Sequence, residues 1–403
     1  MRINAFRAWR PDSGMAEDVA CVAYDTVNRD EAKELVEGNE NSFLHVVRPE
    51  SGMPATTDPY SDEVYKQALA SFNDLRSRGV LVRDEEPALY VYRQKVGEHV
   101  QCGVVGCCCV DDYRSGLIKK HEKSREDKLR DRIRMVKGVR ANTGPVFLVY
   151  RDNAEVDAIV SEVERGASDF CFVADDGVEH AGWRVSDSAA LEKAFEGVDC
   201  FYIADGHHRA AAASESEREL QDEGQGSEAA SLFLVSVVPA GQVRVMAYNR
   251  CVADLGGMTS DEFMCKVGSA FEVTEKADSE PCGGGRASMY IDGKWYGLSW
   301  AVSGLDDEVI ERLDVSVLQS RLLSPILGIG DVRTDSRISF VGGIRGTQEL
   351  ERLVDSGRTR VAFSMYPVTA GEMMDVADAG SIMPPKSTWF EPKLRSGLFV
   401  HEL

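Results

Sequence analysis

One stretch constrains the architecture more than any other. The β-rich run Cys200-Phe201-Tyr202-Ile203-Ala204 passes through Asp205-Gly206-His207-His208-Arg209 into Ala210 to Leu220, an Ala, Ser and Glu segment of strong helix propensity. A strand, a glycine turn and a helix start in that order require an α/β unit. The leading N–H groups of a helix have no partner within it, and a glycine beside them lets a ligand approach closely, so such a turn is an anion site. The charge order supports that use. His207, His208 and Arg209 stand at the positive end of the helix dipole, and Glu215, Glu217 and Glu219 lie toward its negative end. That is the reverse of the favourable order, which is worth roughly 0.3 to 1 kcal/mol per charge. A bound phosphate would offset the cost. The plainer alternative is that Asp205 caps the helix while the histidines pack or face water.

The remaining periodicities are mixed. Strands are expected at Ile3 to Trp9, Ala88 to Arg93, Val100 to Val110, Val146 to Tyr150, Leu232 to Val238, Val243 to Tyr248 and Arg360 to Tyr366. Met289 to Trp300 reads as a hairpin turning at Asp292-Gly293. Asp62 to Arg78 repeats Val64, Ala68, Phe72 and Leu75 at helical spacing, with further helices at Asn28 to Glu37 and Ala154 to Arg165. Thr259, Thr347 and Thr369 open three more, and Glu262 and Glu372 complete capping boxes with the first and last. Ser214 to Ser231 reads as an exposed helix end and loop. The fold class is α/β or mixed α+β, in three segments: residues 1–100, a core over 101–250, and a C-terminal α/β segment over 251–403.

Composition excludes several functions. Lys and Arg total 46 against 67 Asp and Glu, a net charge of −21 that repels nucleic-acid backbones. The apolar content of 43% is that of a globular protein, and the longest apolar runs fall far short of a bilayer span, so no membrane role and a cytoplasmic location are expected. The ten cysteines include no CxxC pair, and the consecutive Cys107, Cys108 and Cys109 read as apolar core residues of a strand. No P-loop and no protein-kinase motif set occurs.

Two further segments carry chemistry. Lys119-Lys120-His121-Glu122 precedes a helix whose start is marked by Ser124 with Asp127 and whose core face is expected at Leu129, Ile133 and Val136. Glu122 is then either a dipole-compensating carboxylate or a general base in a cationic setting. The charges from Lys123 to Arg134 read as a solvated face. Near the end, Met383-Pro384-Pro385-Lys386-Ser387-Thr388-Trp389-Phe390-Glu391-Pro392-Lys393 is a proline-stiffened loop with apolar anchors, presenting a cation and hydroxyls in fixed geometry.

Together with Tyr24-Asp25, Ser42 to Glu50 and Asn142 to Pro145, these segments resemble, end to end, the bacterial and archaeal family known as domain of unknown function 1015. The Pro-Pro usual before Tyr24-Asp25 in that family is here Val22-Ala23. The HE pair and the DGHHR turn also resemble those of archaeal free L-serine kinases of the ParB/sulfiredoxin superfamily. That resemblance implies a ParB/sulfiredoxin-like nucleotide-binding core with additional α/β segments, and a kinase that transfers phosphoryl from ATP or ADP, with Mg²⁺, to free L-serine. It implies Glu122 as catalytic base, Asp205, Gly206, His207, His208 and Arg209 as the phosphate loop, and Lys386, Ser387 and Thr388 as the substrate loop. Asp205 is expected to orient the loop or ligate the metal. A ParB-like nucleotide-binding regulator without turnover is the alternative, and a metal-dependent hydrolase built on the two adjacent histidines a weaker one.

Overall fold

The computed structural model describes residues 1–123, 125–301 and 308–403, so the capping box assigned to Ser124 lies outside the described residues. The chain is mixed α/β and divides into two compact units, one of Met1–Val243 with Pro392–Leu403 and one of Arg244–Glu391.

The first unit is built on an eight-stranded mixed sheet. Its order is Ile118–Lys119, Phe201–Asp205, Val146–Tyr150, Leu232–Pro239, His99–Cys109, Tyr90–Val96, Glu179–Arg184, Phe170–Val173. His99–Cys109 is central and reads as a near-continuous apolar run because it is covered on both faces. Cys107 and Cys108 are fully buried there, as expected for core thiols, and no disulfide forms. Leu148, Ile203, Val235 and Val237 meet the helices Ala154–Glu164 and Ser188–Phe195 in one apolar cluster. A second cluster gathers Phe43, Val47, Phe72 and Val400 around the helix Asp62–Ser77, whose Val64, Ala68, Phe72 and Leu75 are buried as the helical spacing requires.

Three expectations change. The N-terminal run forms single bridges at Asn4 and Phe6 and a ladder only over Trp9–Pro11, where it pairs with Leu81–Arg83. The segment after Ser214 is not exposed at its start: the helix His207–Asp222 buries Ser214, Ser216, Glu217 and Leu220. Arg114 makes this tolerable, donating to the Ser214 carbonyl and to Glu217, each at 2.7 Å.

The third change is a rotation of the helix Glu126–Val139. Its buried residues are Asp131, Arg132, Met135 and Val139, so part of the supposed solvated face is turned inward. Leu129 and Ile133 line an open surface groove instead. Asp131 is buried because Arg132 binds it at 2.6 Å and Tyr65 donates to it at 2.9 Å. A paired charge is a polar group a fold can bury.

The second unit carries a six-stranded antiparallel sheet ordered Glu272–Glu275, Lys294–Ser299, Arg286–Ile291, Val361–Met365, Tyr248–Val252, Ile338–Gly342. Its hairpin turns at Asp292 and Gly293, both with positive φ, as a two-residue loop demands. Both capping boxes form, at Thr259 with Glu262 and Thr369 with Glu372. Thr347 precedes its helix without capping it and bonds the Ser279 hydroxyl instead.

Candidate functional site

The site follows from one pairing. Ile118–Lys119 lies parallel to Phe201–Asp205, with Ile118 opposite Phe201 and Lys119 opposite Tyr202. Both strands therefore end at the same edge. Continuing that register delivers His121 and Glu122 beside Asp205 and the glycine turn, at the carboxyl ends of adjacent parallel strands where α/β sheets bind ligands.

His121 and His207 meet edge to face with ring centroids 4.6 Å apart. A ligand atom from each, and one from the Glu122 carboxylate, all lie within 4.8 Å of one another. Glu122 is exposed and both histidines are buried. Burial pushes the His121 imidazole down to about 4, against smaller opposing effects of the Ile203 carbonyl and Asp205. His207 is lowered for the same reason, with His121 adding to the effect. Both rings are neutral at pH 7.

Gly206 caps the helix His207–Asp222 with φ +91, a conformation side chains resist, and a Cβ there would meet the Arg209 Nε at 2.9 Å. Arg209 folds back across the glycine. It donates to the Asp205 carboxylate at 2.8 Å and to the Pro145 carbonyl, and Lys393 comes within 3.7 Å of the other Asp205 oxygen. Burial opposes the charge of Asp205, but Lys393 and then Arg209 outweigh it and hold the carboxyl below the ordinary range. Asp205 and Arg209 thus brace the turn. In the first turn the Arg209 N–H donates to the Gly206 carbonyl at 2.9 Å, and the start of a helix is the end that favours an anion.

His208 points the other way. Its Nε2 accepts from the backbone N–H of Arg125 at 3.0 Å, tying the glycine turn to the residue that precedes the helix Glu126–Val139. Beyond it opens a cavity of about 490 Å³ lined by Tyr24, Asp25, Arg48, Glu50, Lys128 and Arg132, among others. Arg132 stacks on the Tyr24 ring at 3.8 Å. Burial raises the Tyr24 hydroxyl to about 12 despite Arg132, so it stays protonated.

Lys386, Ser387 and Thr388 belong to the second unit. There Lys386 has positive φ and stands over the Tyr248 ring at 5.3 Å, and Ser387 donates to the Pro384 carbonyl at 2.6 Å. Sequence reading missed Asp131 and Arg132, and it named His121 and Lys393 without giving either a role. The i, i+4, i+8 spacing of Asp131, Met135 and Val139 was a usable signal, since it puts the acid on an apolar stripe.

A family model described as a protein of unknown function (DUF1015) matches residues 3–316. The chain belongs to that family. No curated protein matches it. Solved structures similar to it include a free serine kinase variant in complex with AMP, at 16% identity over 71% of this chain and 86% of that one, with a TM-score of 0.36. A conserved hypothetical protein from Pyrococcus furiosus is 15% identical over 72% and 93%, TM-score 0.34, and C-terminally truncated SbnI from Staphylococcus aureus is 10% identical over 71% and 82%, TM-score 0.37.

Proposed function

We propose that the chain is a cytoplasmic small-molecule kinase that moves a phosphoryl group from ATP or ADP to the hydroxyl of free L-serine. The observation that carries this reading is the meeting of the Glu122 carboxylate with His207 at the first turn of a glycine-capped helix. A base candidate stands next to an anion site, the two protein parts that phosphoryl transfer to an alcohol requires.

In this reading Glu122 takes the proton from the serine hydroxyl as its oxygen bonds to phosphorus. The bond from phosphorus to the donor's bridging oxygen breaks, and ADP or AMP leaves with that electron pair. Glu122 then returns the proton to solvent. The N–H groups at the start of the helix hold the donor phosphates, with Asp205 and Arg209 keeping the turn in shape and His208 fixing its outer side. Lys386, Ser387 and Thr388 are assigned to the acceptor by motif resemblance, and residues 101–250 are proposed as the nucleotide-binding core.

Mg²⁺ prefers oxygen ligands in an octahedron. The one carboxylate offered for it in the loop, Asp205, is already held by Arg209 and Lys393, so the loop does not fit the ion and no step is routed through it.

The test is to incubate the full chain with L-serine, Mg²⁺ and either ATP or ADP and to look for O-phosphoserine by mass spectrometry. Serine-dependent product with either donor supports the reading. Nucleotide binding without any product, across metals and donors, leaves a regulator and sinks the kinase.

A further inference from the structure

His121 and His207 have no chemical step in phosphoryl transfer, yet they surround its base. Their ring nitrogens and a Glu122 oxygen lie within 4.8 Å of one another. The ring nitrogens of His121 are buried and make no hydrogen bond of normal geometry among the described residues, the Ile203 carbonyl being their nearest backbone influence. Polar atoms buried in that way need a partner.

We propose that His121, Glu122 and His207 bind one late first-row divalent cation of the zinc class, separate from any magnesium carried on donor phosphates. Two imidazole nitrogens and one carboxylate oxygen are the ligand set such ions take, and three protein ligands leave a fourth position for water or a phosphate oxygen. Bonds of about 2.0 to 2.2 Å set tetrahedral donors roughly 3.4 Å apart, so donors that lie within 4.8 Å of one another must close by up to about 1.4 Å. Of the three, Glu122 is the exposed one. The imidazoles select against Mg²⁺, which prefers oxygen. His208 is not a fourth ligand through Nε2, because that atom accepts from Arg125. Of the nearby charges, Lys120 opposes a cation, and Asp205, itself paired with Arg209 and Lys393, favours one. Because a metal-bound carboxylate is no longer a base, and resting on Glu122 as the kinase base, zinc inhibits transfer until a chelator removes it.

Exposed thiols also take zinc, so the full chain is tested with Cys171, Cys265 and Cys282 replaced by Ser. Zinc is titrated in competition with a chromophoric chelator, without nucleotide, and Co²⁺ is used as a spectroscopic probe. One equivalent should bind, and His121→Ala and Glu122→Gln should each weaken it about tenfold or more. Glu122 is exposed, so its variant reports even if His121→Ala fails to fold. Absence of binding, equal affinity in Glu122→Gln, or a Co²⁺ spectrum with thiolate charge transfer overturns the proposal. Product formation in a protein that binds no zinc rejects the metal site and keeps the kinase. Zinc binding in a protein that forms no product does the reverse.

Discussion

Gly206 is the residue whose identity the site can least change. Any side chain there would hold φ +91 under strain and press on Arg209, the brace of the turn. Gly206→Ala is therefore expected to lower stability by about 1 to 3 kcal/mol and to weaken nucleotide binding. Urea unfolding and calorimetry check both, and a variant as stable and as tight as the parent contradicts the role. The buried histidines give a pH dependence. His121 has a folded pKa of about 4 and His180, buried beside Arg395, about 3, both below the ordinary value of 6.5. Between those values the unfolded chain binds the protons that the folded chain refuses. Stability is then unaffected above pH 6.5 and falls on acidification from there to about pH 4, at roughly 1.4 kcal/mol per pH unit for each histidine. His121→Gln should flatten part of that slope in urea midpoints measured across the range. His207 and Arg209 were legible in the sequence as a motif; that Arg209 braces the loop was not, because its Pro145 carbonyl partner, 64 residues away, is set by tertiary packing.

At the scale of elements, sequence legibility depended on whether one face or a partner decided the outcome. Val146–Tyr150, the helix Asp62–Ser77 and the capped helices at Thr259 and Thr369 were readable because local pattern and capping chemistry suffice. Ile118–Lys119 was not, since a two-residue strand exists only by pairing with Phe201–Asp205, and that pairing assembles the site. The helix Glu126–Val139 misled in another way: its apolar Leu129 and Ile133 line a groove while Asp131 and Arg132 are buried. Arg132→Met tests the reason. It should cost about 3 to 5 kcal/mol by leaving Asp131 buried without its cation, although Tyr65 still donates to it. Thermal and urea unfolding measure the loss, and a change under 1 kcal/mol, about the size of an exposed ion pair, would assign the pair to the surface.

At the scale of the molecule, the last twelve residues return to the first unit after the chain has built the second. They supply Lys393 for Asp205, carbonyls at Pro392 and Lys393 for the buried amides of Gln101 and Gln94, and a strand His401–Glu402 on Ala141–Asn142. Deleting Pro392–Leu403 should leave the Gln94 amide without its acceptor and Gln101 with only the Gln94 side-chain oxygen, and abolish cooperative unfolding of the first unit, followed by intrinsic fluorescence; an unchanged transition would make the segment dispensable. The account as a whole stands on Glu122 acting as a base beside a phosphate site. Glu122→Gln keeps the size of the side chain and removes its basicity. In Mg²⁺ buffer freed of zinc, O-phosphoserine formation by the variant should fall by about 10² to 10⁴ relative to the parent while nucleotide affinity stays nearly constant. A Gln variant that makes O-phosphoserine as fast as the parent would contradict the account.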